Sequence, residues 1–274
     1  MERSLRGKVL VMSGGSRGIG LAIAVRAARD GASVAIIAKT EAPHPKLEGT
    51  IYSAAEAIRA AGGQALPIAG DVRDDDRVQA AIDQVVDHFG AIDICLNNAS
   101  AIDLSPVGSI TMKRYDLMQD INTRGTFVLT RACLPHLKRA ANPHVLTLSP
   151  PLNLKPMWFG RSLAYSIAKY GMSMCTLGFA EEFRAYGIAA NSLWPRTMIA
   201  TAAVRNLLGG EDAMRNSRDP RIVADAAYAI LTRPSQECTG QFFIDDQVLA
   251  EEGITDLSVY GGAENELQTD LFLN

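Results

Sequence analysis

A tyrosine and a lysine, Tyr165 and Lys169, have the types and the spacing needed for proton transfer. On a helix, residues four apart lie on one face, one turn from each other. A free phenol has a pKa of about 10, and a neighbouring ammonium group lowers it by favouring the phenolate. The pair therefore predicts acid/base chemistry at a carbonyl oxygen, with Lys169 also placed to hold ribose hydroxyls. The alternative is a chance spacing on an exposed helix.

A glycine-rich segment near the N-terminus predicts a phosphate-binding loop. It follows a predicted strand and opens a predicted helix, the context in which backbone N–H groups at a helix N-terminus bind a pyrophosphate. Glycine lets such a loop turn tightly and approach its ligand closely. The alternative is that these glycines serve only the turn. The candidate cofactor-binding residues are Gly14, Ser16, Arg17, Gly18, Ile19 and Gly20.

The residues at the end of the second predicted strand bear on the choice of dinucleotide. An NAD site usually has an acidic residue there, bound to the ribose 2′-hydroxyl. This chain has Ala38 and Lys39 instead. Lys39, together with Arg17, suits a 2′-phosphate, so NADP(H) is favoured over NAD(H). The alternative is two solvated surface cations.

The elements that must position these residues alternate between short β-branched runs and longer amphipathic stretches. This alternation predicts an α/β fold: a doubly wound, Rossmann-type parallel sheet of about seven strands with helices on both faces. Strands are predicted at 8–12, 33–37, 65–68, 92–97, 144–149, 188–194 and 241–244. Helices are predicted at 19–30, 51–61, between Asp74 and Gly90, and at about 111–121, 123–140 and 162–186. A single domain over 1–274 is expected, with a polar C-terminal extension from about 246.

Composition argues against several classes of protein. The net charge of −3 does not favour nucleic-acid binding. No segment approaches the roughly 18 apolar residues of a membrane span. The four cysteines form no close pair and there are four histidines, so no metal site is predicted. The charged N-terminus is unlike a secretory signal, and a cytoplasmic location is expected.

Taken in order, the motifs resemble those of the short-chain dehydrogenase/reductase family over about residues 5–245. The resemblance implies that Asp71, followed by Val72, binds the adenine edge. It implies that Asn98, followed by Ala99, stabilises the sheet beside the cofactor and that Asn122 holds a proton-relay water. Tyr165 and Lys169 would be catalytic, and both would contact the cofactor. Capping roles are the alternative for the aspartate and the two asparagines.

Two departures from the family pattern concern the catalytic centre. Ser149 lies farther from Tyr165 than the family's catalytic serine does, and Pro150 follows it. Ser149 is the best candidate to bind the carbonyl oxygen, and a strand-end role is the alternative. After the sixth strand, Pro195 is expected to shape the nicotinamide pocket. Arg196 replaces the usual glycine and would meet an acidic substrate, a cofactor phosphate or solvent.

Further segments are similar to the hydroxysteroid dehydrogenase-like branch of this family. In that branch the dehydrogenase part is often followed by a sterol-carrier-like domain. The segments are 38–40, 44–47, 122–125, 149–154, 168–173, 193–195 and 244–253.

Apolar residues predict the substrate class. The stretch 152–162 contains Met157, Trp158 and Phe159, and residues 196–218 are expected to form a mobile lid. An apolar substrate (fatty-acyl, steroid or aromatic) fits this lining, whereas simple packing against the domain is the alternative.

Small residues on the two helices that flank the fifth strand bear on assembly. Ala168, Gly171 and Gly178 permit close helix packing, and the family resemblance implies a homo-oligomer, a dimer or a tetramer.

The sequence therefore predicts an NADP(H)-dependent oxidoreductase that moves hydride between the nicotinamide and a small carbonyl or alcohol substrate. The alternative is a cofactor-binding sensor or scaffold with weak or lost catalysis, which the Pro150 departure favours.

Overall fold

A computed structural model of the chain describes residues 3–44, 47–262 and 266–273. Pro45 and Lys46, which belong to the segment 44–47 quoted for the branch resemblance, lie outside the described residues. Within the described ranges, no helix is both long and apolar enough to cross a membrane.

The described residues contain a seven-stranded sheet in which every neighbouring pair is parallel, in the order β3-β2-β1-β4-β5-β6-β7. The predicted doubly wound fold is therefore confirmed. The strands are β1 (Val9–Ser13), β2 (Ser33–Ala38), β3 (Gln64–Ala69), β4 (Ile94–Asn97), β5 (His144–Thr147), β6 (Ala189–Trp194) and β7 (Phe242–Ile244).

Helices cover both faces of this sheet. They are α1 (Gly18–Arg29), α2 (Ile51–Ala60), α3 (Asp75–Phe89), α4 (Met112–Met118), α5 (Gly125–Leu137), α6 (Pro156–Glu182), α7 (Ala202–Val204), α8 (Gly210–Arg215), α9 (Arg221–Leu231) and α10 (Asp245–Glu251). A π-helical turn, Gln119–Arg124, joins α4 to α5.

The two faces form two apolar cores because successive strand residues point to opposite sides. In β1, Leu10 and Met12 pack into the core that contains α1, α2 and α9. Val9 and Val11 pack into the opposite core, against residues of α3, α5 and α6. The central strands are buried on both sides, which explains their nearly continuous apolar sequences.

Two of the larger helices differ from the sequence prediction. The long helix begins earlier than predicted, at Pro156, and is interrupted at Ser162, whose φ of −158° and ψ of 65° are not helical. Helix α9 was missed, although Ile222, Val223, Ala226, Ala227 and Ile230 are fully buried at helical spacing. It packs against α1 and α10.

The C-terminal extension is not simply polar. Val248 and Leu249 of α10 are buried, and so are Leu271, Phe272 and Leu273 at the end of the described chain. These side chains pack into two apolar clusters of the same chain, Val248 and Leu249 beside α9 and the last three beside α6.

The sheet order reverses between β1 and β4. Chain segments that leave these two strands diverge to opposite sides, which opens a crevice at their carboxyl ends where ligands of doubly wound folds bind. The glycine-rich loop follows β1, and Asn98 and Ala99 follow β4.

His144, at the start of β5, gives a prediction about acid stability. Its side chain is 1% exposed, with Nε2 3.0 Å from the Arg233 carbonyl oxygen. Burial lowers its pKa from 6.5 to about 4. The unfolded state therefore binds a proton that the native state does not, and stability falls as the pH drops through this window.

Denaturant unfolding of wild type and His144→Gln between pH 7 and pH 4.5 checks this expectation. The stability of wild type relative to the variant should fall by about 1.4 kcal/mol per pH unit at the steepest part of the window. His88→Gln is the matched control, because His88 is an exposed histidine. A difference between wild type and His144→Gln that does not change with pH would contradict the assignment.

Candidate active site

The loop after β1 has a backbone that only glycine adopts easily. Gly14, Gly15 and Gly18 have φ values of 77°, 95° and 57°, in the region where a Cβ is strained. Arg17 is the N-cap of α1, and its side chain makes no capping hydrogen bond. The first turn of α1 thus presents backbone N–H groups that no side chain caps, as a pyrophosphate site requires.

Asn98 lies against this loop from the β4 side, and we call residues 14–20 and Asn98 together the cradle. Its Nδ2 donates to the Ser13 carbonyl oxygen at 3.1 Å, and the Ala99 backbone N–H donates to Ser13 Oγ at 3.1 Å. A Cβ built on Gly14 or Gly20 would lie 2.6 or 2.5 Å from Asn98 Nδ2. Glycine is therefore needed at both positions for the loop after β1 to approach the loop after β4. A glycine-lined turn that opens a helix fits the pyrophosphate of a dinucleotide.

A charged cavity of about 450 Å³ lies beyond the end of β2 and β3, lined in part by Lys39, Asp71 and Arg73. Lys39 Nζ is 3.2 Å from Asp71 Oδ2, and Arg73 Nη2 is 2.6 Å from the same oxygen. Hydrogen bonds from Arg73 hold the pKa of Asp71 well below its usual value. Val72, next to Asp71, is buried.

Arg17 is not among the residues that line this cavity. Its Nε donates to the Glu48 carbonyl oxygen at 2.7 Å and its Nη2 to that of Gly49 at 2.9 Å. The guanidinium therefore ties the glycine-rich loop to the segment before α2.

Asn122 lies inside the π-helical turn and is fully buried. Its side chain makes two hydrogen bonds with the backbone of Ala101: Oδ1 accepts from the N–H at 2.7 Å, and Nδ2 donates to the carbonyl oxygen at 3.0 Å. These bonds fix the loop after β4. Single π-helical turns inside α-helices often mark functional sites.

Tyr165 and Lys169 both lie on the buried part of α6, 4% and 3% exposed. Lys169 Nζ donates to the Leu148 carbonyl oxygen at 2.8 Å, just beyond β5, and lies 5.0 Å from the centroid of a Trp194 ring. Burial lowers the pKa of Lys169 to about 7.

The predicted lowering of the Tyr165 pKa is wrong for this conformation. Burial, and then the nearby Asp270 carboxylate, raise the pKa of the phenol above its ordinary value. The ammonium group of Lys169 points to the Leu148 carbonyl, so it does not offset the loss of water around the phenol. Tyr165 is therefore protonated at neutral pH in this conformation.

Ser149 is 1% exposed. Its hydroxyl lies 2.8 Å from that of Ser192 on β6, which in turn lies 2.8 Å from the Thr176 hydroxyl on α6. In this conformation the serine joins the end of β5 to β6 and α6 through a buried chain of hydroxyl groups, which corresponds to the strand-end alternative.

Pro195 is buried directly after β6. Arg196 does not point freely to solvent or towards a ligand, since its Nε is 2.9 Å from Asp246 Oδ2. Its backbone N–H donates to Asp245 Oδ1 at 2.8 Å. Asp245 is fully buried, and its pKa is raised by burial to about 7.

Residues 268–273, which we call the C-terminal strap, cover the Tyr165–Lys169 pair. The Phe272 ring centroid is 6.0 Å from that of Tyr165 and 5.1 Å from that of Tyr170. Sequence reasoning missed this contact. The only signal was the apolar run Leu271-Phe272-Leu273 close to the end of the extension.

The parallel sheet, with a glycine-lined turn at its switch point, is the architecture of Rossmann-type nicotinamide-dependent oxidoreductases, and this is the class to which fold and site point. A model of the short chain dehydrogenases matches residues 8–211. The chain belongs to that family, whose members are NAD(P)-dependent dehydrogenases that act on CH–OH groups. The predicted family resemblance is confirmed.

Individual relatives agree with this membership. Hydroxysteroid dehydrogenase-like protein 2 from Xenopus laevis is 54% identical over 271 residues, 98% of this chain but 64% of that protein. The resemblance to this branch is therefore confirmed as well. The chain spans a little under two-thirds of this relative's length.

Solved structures match the chain over nearly its whole length. One from Xanthomonas campestris, described as a candidate dehydrogenase, is 56% identical with a TM-score of 0.95 and covers 99% of both chains. A short chain dehydrogenase from Mycobacterium thermoresistibile is 57% identical with a TM-score of 0.94, over 99% of this chain and 96% of that one.

The close approach of Gly20 to Asn98 predicts the effect of adding one methyl group. Gly20→Ala should weaken NADPH binding about tenfold or more, because Asn98 and the Gly15 backbone must move apart. Fluorescence titration of NADPH measures this affinity. Gly160→Ala is the control, since a Cβ there meets nothing within 4 Å. Equal affinities for wild type and Gly20→Ala would contradict the claim that cofactor binding needs the close approach of Gly20 to Asn98.

Proposed function

We propose that this chain is an NADP(H)-dependent oxidoreductase that interconverts a carbonyl compound and its alcohol, with Tyr165 as the acid/base. The observation that carries this proposal is the placement of Tyr165 and Lys169. Both lie on one buried face of α6, and the Lys169 ammonium group is bound at the carboxyl end of β5. This is the sheet edge at which the glycine-lined cradle opens.

Each residue has a defined part in the proposed reaction. When bound, the nicotinamide supplies or accepts the hydride at the carbonyl carbon. In reduction, the Tyr165 phenol donates its proton to the carbonyl oxygen and becomes a phenolate. Lys169, protonated, stabilises that phenolate once its Nζ turns from the Leu148 carbonyl. Asn122 keeps the loop after β4 in place through Ala101 and, as in the family, would hold the water that returns a proton to Tyr165.

The remaining residues are assigned to successive parts of the cofactor. Gly14, Ser16, Gly18, Ile19 and Gly20 would surround the pyrophosphate at the start of α1. Asp71 and Val72 would border the adenine, Asn98 and Ala99 the adjacent ribose, and Pro195 the nicotinamide. Ser149 would bind the carbonyl oxygen only after exchanging its Ser192 partner for the substrate.

The preference for NADP(H) is supported by the charges at the end of β2. Lys39 is 55% exposed in its side chain and lines the cavity there. Ala38, at the end of β2, stands where an NAD site usually has the acidic residue that binds the ribose 2′-hydroxyl. Arg17 contributes to this preference only indirectly, by holding the loop through Glu48 and Gly49.

The proposed substrate is apolar. Trp158, Tyr165 and Trp194 belong to one buried cluster at the catalytic end of the sheet, and Leu152 and Phe159 pack against it. Met157 is exposed, so only part of the stretch 152–162 supports this lining.

A homo-oligomer is part of the proposal. Ile167, Met174 and Leu177 on α6 and Phe127 on α5 are exposed apolar residues, a pattern that favours association of these helices between copies. Gly171 does not contribute, because it packs within the chain, where its Cβ would lie 2.3 Å from Thr123 Oγ1. The described cysteines are free, which suits the proposed cytoplasmic location.

A cofactor-binding sensor or scaffold without turnover is the second candidate function. The burial of Tyr165 beneath the C-terminal strap favours it, because a covered phenol does not reach a substrate. The engagement of Ser149 by Ser192 points the same way.

Removal of the phenol hydroxyl tests the proposed role of Tyr165. Tyr165→Phe should lower kcat for ketone reduction at least about 100-fold, the smaller end of the range for a lost general acid, with NADPH affinity retained. Tyr170→Phe is the matched control from the same helix and cluster; its hydroxyl donates to the Asn153 carbonyl oxygen. Equal activity in wild type and Tyr165→Phe would favour the sensor instead.

Loss of the Lys39 charge tests the cofactor preference. Lys39→Ala should lower kcat/KM for NADPH about tenfold, because a charge-assisted contact to the 2′-phosphate is lost, and should leave the value for NADH nearly unchanged. Parallel assays with both cofactors measure the ratio. Lys113→Ala, which removes an exposed lysine on α4, is the control. An equal loss with both cofactors would contradict the proposed 2′-phosphate contact.

A further inference from the structure

The C-terminal strap places the ring of Phe272 among four other aromatic rings, which we call the cage: those of Trp158, Tyr165, Tyr170 and Trp194. The centroid of Phe272 lies 5.7 Å from that of Trp158 and 6.1 Å from that of Trp194, in addition to its contacts with Tyr165 and Tyr170. Phe272 is 1% exposed. The ring therefore fills an apolar space beside the phenol that the proposed function assigns to catalysis.

Specific backbone contacts hold the strap in this place. The Met198 N–H donates to the Gln268 carbonyl oxygen at 2.9 Å, and the Asp270 N–H donates to that of Arg196 at 3.0 Å. Trp194 Nε1 donates to the Leu271 carbonyl oxygen, and Asn153 Nδ2 to that of Phe272, both at 2.9 Å. The strap is thus docked on the segment after β6, which borders the nicotinamide end of the proposed site.

The docked strap also carries two unfavourable features. Among the described residues, Phe272 is the only one other than glycine with a positive φ, 69°. Non-glycine residues adopt that conformation only where surrounding contacts compensate, and such strain concentrates at ligand clamps and switches. The strap also brings the Asp270 carboxyl group out of water, and burial raises its pKa to about 7. Both features are relieved when the strap leaves the cage.

We propose that the C-terminal strap is a lid that substrate displaces, and that an aromatic or similarly compact apolar group of the substrate takes the place of Phe272. This inference rests on the proposed function, since a carbonyl oxygen must reach the Tyr165 hydroxyl. With the strap docked, that ring is 4% exposed. The four-ring cage then selects ketones that carry a phenyl-sized group close to the carbonyl carbon.

A reversible covalent lock tests whether the strap must move. Thr197 and Thr269 face each other as an antiparallel pair, flanked by the two hydrogen bonds at Met198 and Asp270. This is the non-hydrogen-bonded arrangement, in which the Cα atoms lie about 4.5 Å apart, within the range that a disulfide bridges. The double variant Thr197→Cys/Thr269→Cys should therefore close the strap when oxidised and release it when reduced.

Turnover of 4-phenyl-2-butanone with NADPH is the first readout. The oxidised double variant should lose most of its activity and regain it with dithiothreitol, while retaining NADPH affinity. Wild type and Thr269→Cys, oxidised in the same way, are the controls for the chain's own cysteines. Turnover that is measurable and equal in the oxidised and reduced double variant would overturn the inference and leave the proposed function standing.

Tryptophan fluorescence supplies a readout that does not depend on catalysis. The chain has two tryptophans, and both contact Phe272. Adding 4-phenyl-2-butanone should change the emission of the reduced double variant but not of the oxidised one, even if neither form turns over. A fluorescence change in the reduced form alone, with no turnover in either form, would support the lid and count against the proposed reductase function. Identical responses of the two forms, or no response in either, would overturn the lid.

Removing the ring of Phe272 tests the substrate class. Phe272→Ala should lower the KM for 4-phenyl-2-butanone severalfold, because the substrate no longer competes with the residue for the cage. The KM for acetone, which has no group to fill the cage, should change little. Phe89→Ala is the control, since this half-buried ring packs in the core that contains α3 and α5, outside the cluster of the cage. Equal changes for both ketones, or an unchanged KM for the aromatic one, would overturn the assignment of the cage.

Discussion

The parallel pairing of the seven strands is the constraint on which the site depends. In a parallel sheet all carboxyl ends lie at one edge, so residues far apart in the chain meet there. Ser13 and Asn98 are joined at this edge by hydrogen bonds between the ends of β1 and β4. Lys169 is bound to the Leu148 carbonyl oxygen just beyond β5. A change in strand order would separate the cradle from the Tyr165–Lys169 pair without altering a single motif.

Loss of water controls the electrostatics at this edge. Lys169 and Asp245 are buried and Asp270 is half-buried, and their pKa values converge on about 7 from opposite directions. Burial favours the neutral form of each group, so the same apolar packing that shields the site also keeps Tyr165 protonated. A movement that readmits water to this edge, or that brings the Lys169 ammonium group to the Tyr165 phenol, therefore changes the pKa values of these groups together.

Much of this organisation could be predicted from the sequence because it follows local rules. The strands, the glycine-rich turn and the Tyr165–Lys169 spacing depend on periodicity and on the backbone freedom of glycine. The partners of Ser149 and Arg196 could not be predicted, because Ser192 and Asp246 are distant in the chain. The role of the C-terminal strap was missed for the same reason: three apolar residues after a polar stretch carry no sign of the cage they enter. Helix α9 is different, since its apolar spacing was visible.

Transfer of deuterium from the cofactor to a ketone shows whether this chain moves hydride and whether Tyr165 is needed for it. The chain is supplied with NADPH carrying deuterium at both C4 positions and with a panel of ketones that includes 4-phenyl-2-butanone, and the products are analysed by mass spectrometry. We expect an alcohol with one deuterium on the carbinol carbon, formed by the wild-type chain and not by Tyr165→Phe. Tight NADPH binding without deuterium in any alcohol would contradict it and identify the chain as a cofactor-binding protein without turnover.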